Sequence, residues 1–402
     1  HVPFIMRKQT LFIIAMLLMP LSGLGIDLFS PSLPAIATDM HCSATLAKLS
    51  LSVYMIGFGI SQIASGLLSD SFGRKPVLIY GLSLFLTASL MICLTNSITL
   101  LIILRVAQGL GAATASVNAK TILTDRFTGK QLNTYMSYLV ISWTLGPIIG
   151  PLIGGYLQWH FNWQANFIFY CGYSLMLLSL VVFSLTETIK QRAPWCGSDI
   201  KRNIKTVLGN QRFLTGSILY ACNYAILPLF AIMSTFLIQH PPLNLKPTVF
   251  GHIALIAGVA FLSGALFSRT LIRKLSNEIT VFIGCSSTFA LSLCYFIASQ
   301  SFMPLSTISI TVISGSMIFF VGITATALLP EVLQIFPNIA GTANAVFGSI
   351  ISLIAFILTT ITSFFNINNL HSYCLCFLLI NTAIYLIYRY AWQGRAVTKH
   401  VT

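Results

Sequence analysis

The sequence predicts an all-α polytopic membrane protein of twelve transmembrane helices in two pseudo-symmetric six-helix halves, with both termini cytoplasmic. Three observations predict it. Only 7% of the 402 residues are Asp, Glu, Lys or Arg, against about 25% in soluble domains, so a soluble fold of this length lacks the charge to clothe its surface. Apolar residues make up 56% of the chain and fall in long uncharged runs, as membrane spans require. The 22 basic residues outnumber the 8 acidic ones and stand between those runs, so the net charge of +14 reads as membrane topology rather than as nucleic-acid binding.

A helix needs about 20 mostly apolar residues to cross a bilayer. The uncharged intervals 9–26, 49–69 and 76–104 each hold one, and 106–119 becomes the fourth when Arg105 is allowed inside it. Interval 131–186 holds the fifth and sixth, 213–245 and 247–268 the seventh and eighth, and 279–330 and 332–388 two each. Turn signals split the long intervals at 158–162, at Ser299-Gln300-Ser301 ahead of Pro304, and at 366–369. Trp159 and Trp163 beside the first of these fit an interfacial aromatic belt.

Orientation follows from the cations. With both termini inside, every Lys and Arg lies on the cytoplasmic side except Lys48 and Lys246, in outer segments, and Arg105, within a helix. The first apolar segment contains Asp27, Pro20, Pro31 and Pro34 and no small-residue cleavage site, so it is expected to stay as its own insertion signal. Nine cysteines without paired spacing argue against a disulfide framework. Cys374 and Cys376 form a C-x-C that is too incomplete for a metal site, so none is expected.

One long polar stretch divides the chain into an N-terminal half (1–188), a cytoplasmic linker (189–212) and a C-terminal half (213–402). Its cluster Lys201, Arg202 and Lys205 reads as a solvated loop near anionic lipid headgroups. Pro31 and Pro228, like Gly66 and Gly264, stand at nearly one offset. This suggests an internal repeat with helix breakers at matching positions, the pattern of a transporter.

Asp27 is the first candidate for chemistry: the only acid well inside a predicted span, set among prolines where the first helix is expected to bend. A carboxylate is costly in lipid, and a carboxyl that is costly to keep charged can take up and release a proton. Arg105, followed by Gln108, Gly109 and Gly111, is the only deep cation. Two readings stay open for it, a switch with Asp27 and a static anchor bonding carbonyls. The inner turn between the second and third helices reads Gly66-Leu67-Leu68-Ser69-Asp70-Ser71-Phe72-Gly73-Arg74-Lys75. Gly66 and Gly73 permit close approach and a tight turn there, while Asp70, Arg74 and Lys75 can pair with opposing helix ends. In the fifth helix, Gly146, Pro147, Gly150, Pro151 and Gly154 place small residues every three or four positions, which serves backbone approach or a hinge and leak seal. Further polar and aromatic residues in the spans, Tyr54, Gln108, Tyr138, Ser142, Tyr220, Asn223, Tyr224, Asn344 and Phe347, are candidates to line a substrate cavity, with interhelical bonding the alternative for each. His252 reads as an outer-end residue and Glu331 as an inner-loop acid.

The Gly66–Lys75 segment carries the G-x-L-x-D-x-x-G-R-K signature of the major facilitator superfamily. The Gly146–Gly154 element resembles that of its antiporters. Ile26-Asp27-Leu28-Phe29-Ser30-Pro31-Ser32-Leu33-Pro34, Pro228-Leu229-Phe230 and Ala340-Gly341-Thr342-Ala343-Asn344 extend the resemblance to the bicyclomycin-resistance (Bcr/CflA) branch of twelve-helix drug:proton antiporters. The resemblance implies a role for Asp27 in proton coupling, pairing of Arg74 with Asp125 when the protein opens outward, and Asp70 facing the start of the eleventh helix. The expectation is a multi-pass protein of the bacterial inner membrane, acting as a monomer. It exports amphipathic organic compounds, antibiotics among them, in exchange for protons by alternating access. Its partners are a small-molecule substrate, protons and the bilayer, with no nucleic acid, metal or cofactor beyond the coupling proton. Export of one endogenous metabolite such as a siderophore, or nutrient import by proton symport, is the alternative. No H-E-x-x-H or nucleophile-elbow arrangement points to an enzyme.

Overall fold

A computed structural model describes residues 8–189 and 197–393. Arg7, Lys190, Arg192, Arg395 and Lys399, used above for orientation, lie outside the described residues. Among the described residues, twelve helices are long and apolar enough to cross a membrane. They are α1 (Gln9–Asp39), α2 (Ala44–Phe72), α3 (Arg74–Leu94), α4 (Ile98–Arg126), α5 (Gly129–His160), α6 (Gln164–Ser184), α7 (Gln211–Gln239), α8 (Pro247–Lys274), α9 (Asn277–Ser301), α10 (Thr307–Leu333), α11 (Ala340–Ser363) and α12 (Leu370–Trp392). The chain forms two compact units, His1–Asp199 with α1–α6 and Ile200–Thr402 with α7–α12. The linker, expected as a loop, contains a helix over Gly197–Gly209.

Local chemistry sets the ends of these helices. Side-chain oxygens of Ser43, Ser97, Asn210, Ser276, Ser306 and Asn369 accept the first free backbone N–H groups of α2, α4, α7, α9, α10 and α12. α1 runs past the predicted 9–26 because it is broken rather than ended. A helix over Pro20–Asp27 gives way to a one-turn 3-10 segment at Ser30–Ser32, and a third piece starts at Leu33 with Pro34 in its first turn. α2 likewise starts earlier than predicted, so Lys48, expected outside, sits within its first turns and is only 5% exposed.

The two units repeat the same close helix crossings. In the first, Gly57 of α2 lies against the Val106 carbonyl and Gly109 of α4 against that of Tyr54, and Ser61 Oγ donates to Leu110 O at 2.8 Å. In the second, Gly264 of α8 lies against the Phe319 carbonyl and Gly322 of α10 against that of Phe261, and Ser268 Oγ donates to Ile323 O at 3.1 Å. Gly81 faces Thr114 just as Gly284 faces Thr324. The repeat is therefore in the packing, but its register differs from the sequence expectation. The counterpart of Gly264 is Gly57, since a side chain on Gly66 would meet open space. Pro31 sits in the break of α1 whereas α7 runs unbroken through Pro228. Residues that must be small are set by the partner helix, which an offset between isolated glycines and prolines does not register.

Candidate functional site

Asp27 ends the second piece of α1 and is 8% exposed. Among the described residues its carboxylate makes no side-chain hydrogen bond or ion pair. Its backbone carbonyl accepts Ser30 Oγ at 2.7 Å, closing the turn at the break. The α5 element packs directly on this break. A Cβ on Gly146 would overlap the backbone at Gly23 and Leu24, one on Gly154 the Leu28 carbonyl, and one on Gly150 would touch Leu28 and the Asp27 Cβ, while Gly23 lies against Pro147. Pro147 and Pro151 sit inside a continuous α5. The small residues expected for backbone approach thus hold α5 against the segment that carries the acid.

Arg105 is fully buried, and the structure does not pair it with Asp27. Its Nε donates to Ser50 O at 3.1 Å, Nη2 to Gly25 O at 2.7 Å and Nη1 to Gln108 Oε1 at 2.7 Å. The guanidinium also lies 4.1 Å from the Phe29 ring centroid and 4.6 Å from that of Tyr54. Carbonyl dipoles and two aromatic faces satisfy a cation that burial would otherwise make costly. This is the static-anchor arrangement. Gly25, two residues before Asp27, is small because Tyr54 occupies the space where its side chain would be.

Two of the cavity candidates belong to this cage. Tyr54 is fully buried with its hydroxyl donating to Ser22 O at 3.1 Å, and Gln108 is fully buried with Nε2 donating to Ser89 Oγ at 2.7 Å. Tyr54 lays its ring on the Arg105 guanidinium and Gln108 Oε1 accepts from it, so both take part in the interhelical bonding that is the alternative to cavity lining. Ser142 Oγ donates to Met16 O at 2.6 Å, tying α5 to α1, and Tyr138 is half-exposed and meets Phe12 in a T-shaped ring contact. In the second unit, Tyr220 and Phe347 come together with ring centroids 5.0 Å apart. One turn from Tyr220, Asn223 is 1% exposed, and neither its Oδ1 nor its Nδ2 has a hydrogen-bond partner among the described residues. Tyr224 is half-buried, and Asn344 is exposed in the first turns of α11.

The inner turn between α2 and α3 is a charge network. Arg74 Nη1 donates to Asp70 Oδ1 at 2.5 Å and Ser69 Oγ at 2.9 Å, and its Nε and Nη2 donate to the two oxygens of Asp125 at 3.1 and 3.4 Å. Gly73 has φ +108°, a conformation that favours glycine, and a side chain there would collide with Glu187. Glu187 was not singled out by the sequence. Its carboxylate accepts the backbone N–H groups of Arg74 (3.0 Å) and Lys75 (3.2 Å) at the start of α3, and those of Thr188 (2.9 Å) and Ile189 (3.1 Å). A carboxylate at a helix N-terminus satisfies free donors and meets the positive end of the helix dipole. Thr188 Oγ1 donates to Asp125 at 2.9 Å, and Lys75 Nζ to Val182 O at 2.8 Å. No sequence signal marks Glu187 or Thr188 as partners of this turn, because they lie just past the end of α6, more than 100 residues on from Arg74.

The second unit has a sparser counterpart. Glu331, expected in a loop, lies in the last turn of α10, accepts Asn277 Nδ2 at 3.2 Å and forms an ion pair with Arg212 Nη2 at 3.5 Å, with the Arg212 guanidinium 5.2 Å from the Trp392 ring centroid. His252 is exposed, its Nδ1 2.7 Å from Thr248 O.

The family model for the Major Facilitator Superfamily matches residues 15–359. The chain is 29% identical over 270 residues to the uncharacterized MFS-type transporter YdgK of Bacillus subtilis, covering 64% of this chain and 65% of that protein. It is 25% identical over 355 residues to the bicyclomycin resistance protein homolog of Haemophilus influenzae, covering 86% and 87%. With multidrug resistance protein D of Escherichia coli it shares 25% identity over 209 residues, 52% of each chain. A crystal structure of a D-xylose-proton symporter superposes with a TM-score of 0.74 at 14% identity, covering 94% of this chain and 97% of that one, a likeness of fold.

Proposed function

Because this chain belongs to the Major Facilitator Superfamily, we propose that it is a proton-coupled exporter of amphipathic organic compounds, antibiotics and other drugs among them. In this reading it works by alternating access in a bacterial inner membrane, as a monomer with both termini cytoplasmic. Two relatives carry bicyclomycin resistance or multidrug resistance in their names, which supports efflux over uptake.

The observation that carries the proposal is the Asp27 carboxyl, buried at the break of α1, without an ionic partner among the described residues and packed against the glycine-proline face of α5. A carboxyl removed from water and held by no cation is free to exchange its charge for a proton. Arg105 acts as a positioning residue that fixes the carbonyl of Gly25 and so the turn that presents Asp27. Protonation of Asp27 from outside removes its charge and lets α1 and α5 move on each other. Substrate entering from inside then displaces the proton. One proton moved through 100 mV supplies about 2.3 kcal/mol, enough for roughly a 50-fold substrate gradient. In the second unit, the unpartnered Asn223 amide beside the Tyr220–Phe347 pair is the group we assign to substrate contact.

The test is proton release in detergent on addition of substrate. Asp27→Asn is expected to fold and to lose that release. Release at the wild-type level from the variant would overturn the assignment. Flux in vesicles under an imposed pH gradient decides export against symport.

A further inference from the structure

We propose that the exposed face of the linker helix Gly197–Gly209 is a binding surface for anionic phospholipid headgroups of the inner leaflet, an inference that rests on the inside orientation proposed above. The helix stops one residue short of α7, and that residue, Asn210, caps α7 by accepting Phe213 N–H at 2.9 Å. Its last turns are therefore held where the chain enters the bilayer.

Its two faces differ. Val207 is fully buried and Ile204 half-buried, which seats one face on protein. Lys201 and Lys205 lie one turn apart on the neighbouring face and are exposed, and Leu208, one turn on from Ile204, stands at the border of the two faces and is 45% exposed. Arg202 is exposed beside them. Among the described residues, no salt bridge engages Lys201 or Lys205. Two cations one and two turns before an exposed leucine at the membrane boundary suit a helix lying in the headgroup layer, with ammonium groups on lipid phosphates and the leucine at the acyl boundary. The same leucine and the same position argue against a soluble phosphate or a nucleic acid as the occupant. Lipid composition then sets how firmly the linker is held beside α7.

The full-length protein is placed in phosphatidylcholine nanodiscs with or without phosphatidylglycerol, and hydrogen exchange of the linker helix is followed by mass spectrometry. Phosphatidylglycerol is expected to slow exchange there several-fold, an effect lost at high salt and in Lys201→Gln/Lys205→Gln, and weakened in Leu208→Gln. Unchanged exchange in α7 to α12 reports that the variants are folded. Equal exchange in the two lipids, or a variant that keeps the wild-type response, would overturn the proposal. So would glycerol phosphate added to phosphatidylcholine discs if it reproduced the effect. The readout needs no transport, so failure of the export reading leaves it standing. A cysteine placed at position 205 and labelled by an impermeant thiol reagent from outside intact cells would instead locate the failure in the orientation.

Discussion

Glu187 caps the helix that begins at Arg74, its carboxylate accepting the Arg74 backbone N–H at 3.0 Å across 113 residues of chain. The same Arg74 side chain reaches Asp70 and Asp125. One helix start thus joins the ends of α2, α4 and α6, and the glycine before it admits no larger residue. Glu187→Ala leaves those N–H groups without their acceptor and is expected to cost about 1–2 kcal/mol, the range for loss of a strong helix cap. Thermal unfolding in detergent checks this, with Glu187→Gln intermediate because it keeps an acceptor but no charge.

Arg105→Lys tests the cage. A lysine keeps the charge but cannot place donors on Ser50 O, Gly25 O and Gln108 Oε1 together. The expected loss is about 3 kcal/mol or more, as for other buried charges deprived of their partners, seen as a lower melting temperature and poor monodispersity. A Lys variant with wild-type stability would show that the guanidinium fork is not what holds α1.

The glycines separate by contact rather than by motif. Gly154→Ala drives a methyl into the Leu28 carbonyl and is expected to destabilise by roughly 1–3 kcal/mol, with transport reduced further because the α1 break is displaced. At Gly66 a methyl meets open space, so Gly66→Ala should change stability by no more than about 0.5 kcal/mol. Melting curves of the pair decide.

Asn223→Leu sets stability against function. Replacing a buried amide that lacks partners among the described residues by an apolar side chain of similar size is expected to raise stability by about 1 kcal/mol or more. If Asn223 contacts substrate, the more stable variant loses export, a trade expected where a site is built at the expense of the fold. Growth protection by the expressed variant against a panel of antibiotics and dyes, beside its melting curve, tests both halves.

Much of this protein was legible in one dimension because a bilayer acts on local composition. Scarcity of charge marked the spans, the cations marked the expected inside, and Asp27 stood out because few acids occur at all. The charged turn from Asp70 to Lys75 was readable for a similar reason, as its residues are consecutive. What escaped was whatever depends on groups distant in sequence. Glu187 carried no signal in the sequence, and neither did Ser50 or Gly25, whose carbonyls hold Arg105.

The sequence by itself determined a membrane protein of twelve spans with one deep acid and one deep cation. Only the tertiary structure decided that the two are not partners. Arg105 is satisfied by the carbonyls of Ser50 and Gly25 and by two aromatic rings, and Asp27 is left at a break held by α5. The physical reason is that backbone acceptors are carried by every residue alike. Which of them a buried guanidinium meets depends on where helices bend and cross, and composition and spacing do not record it.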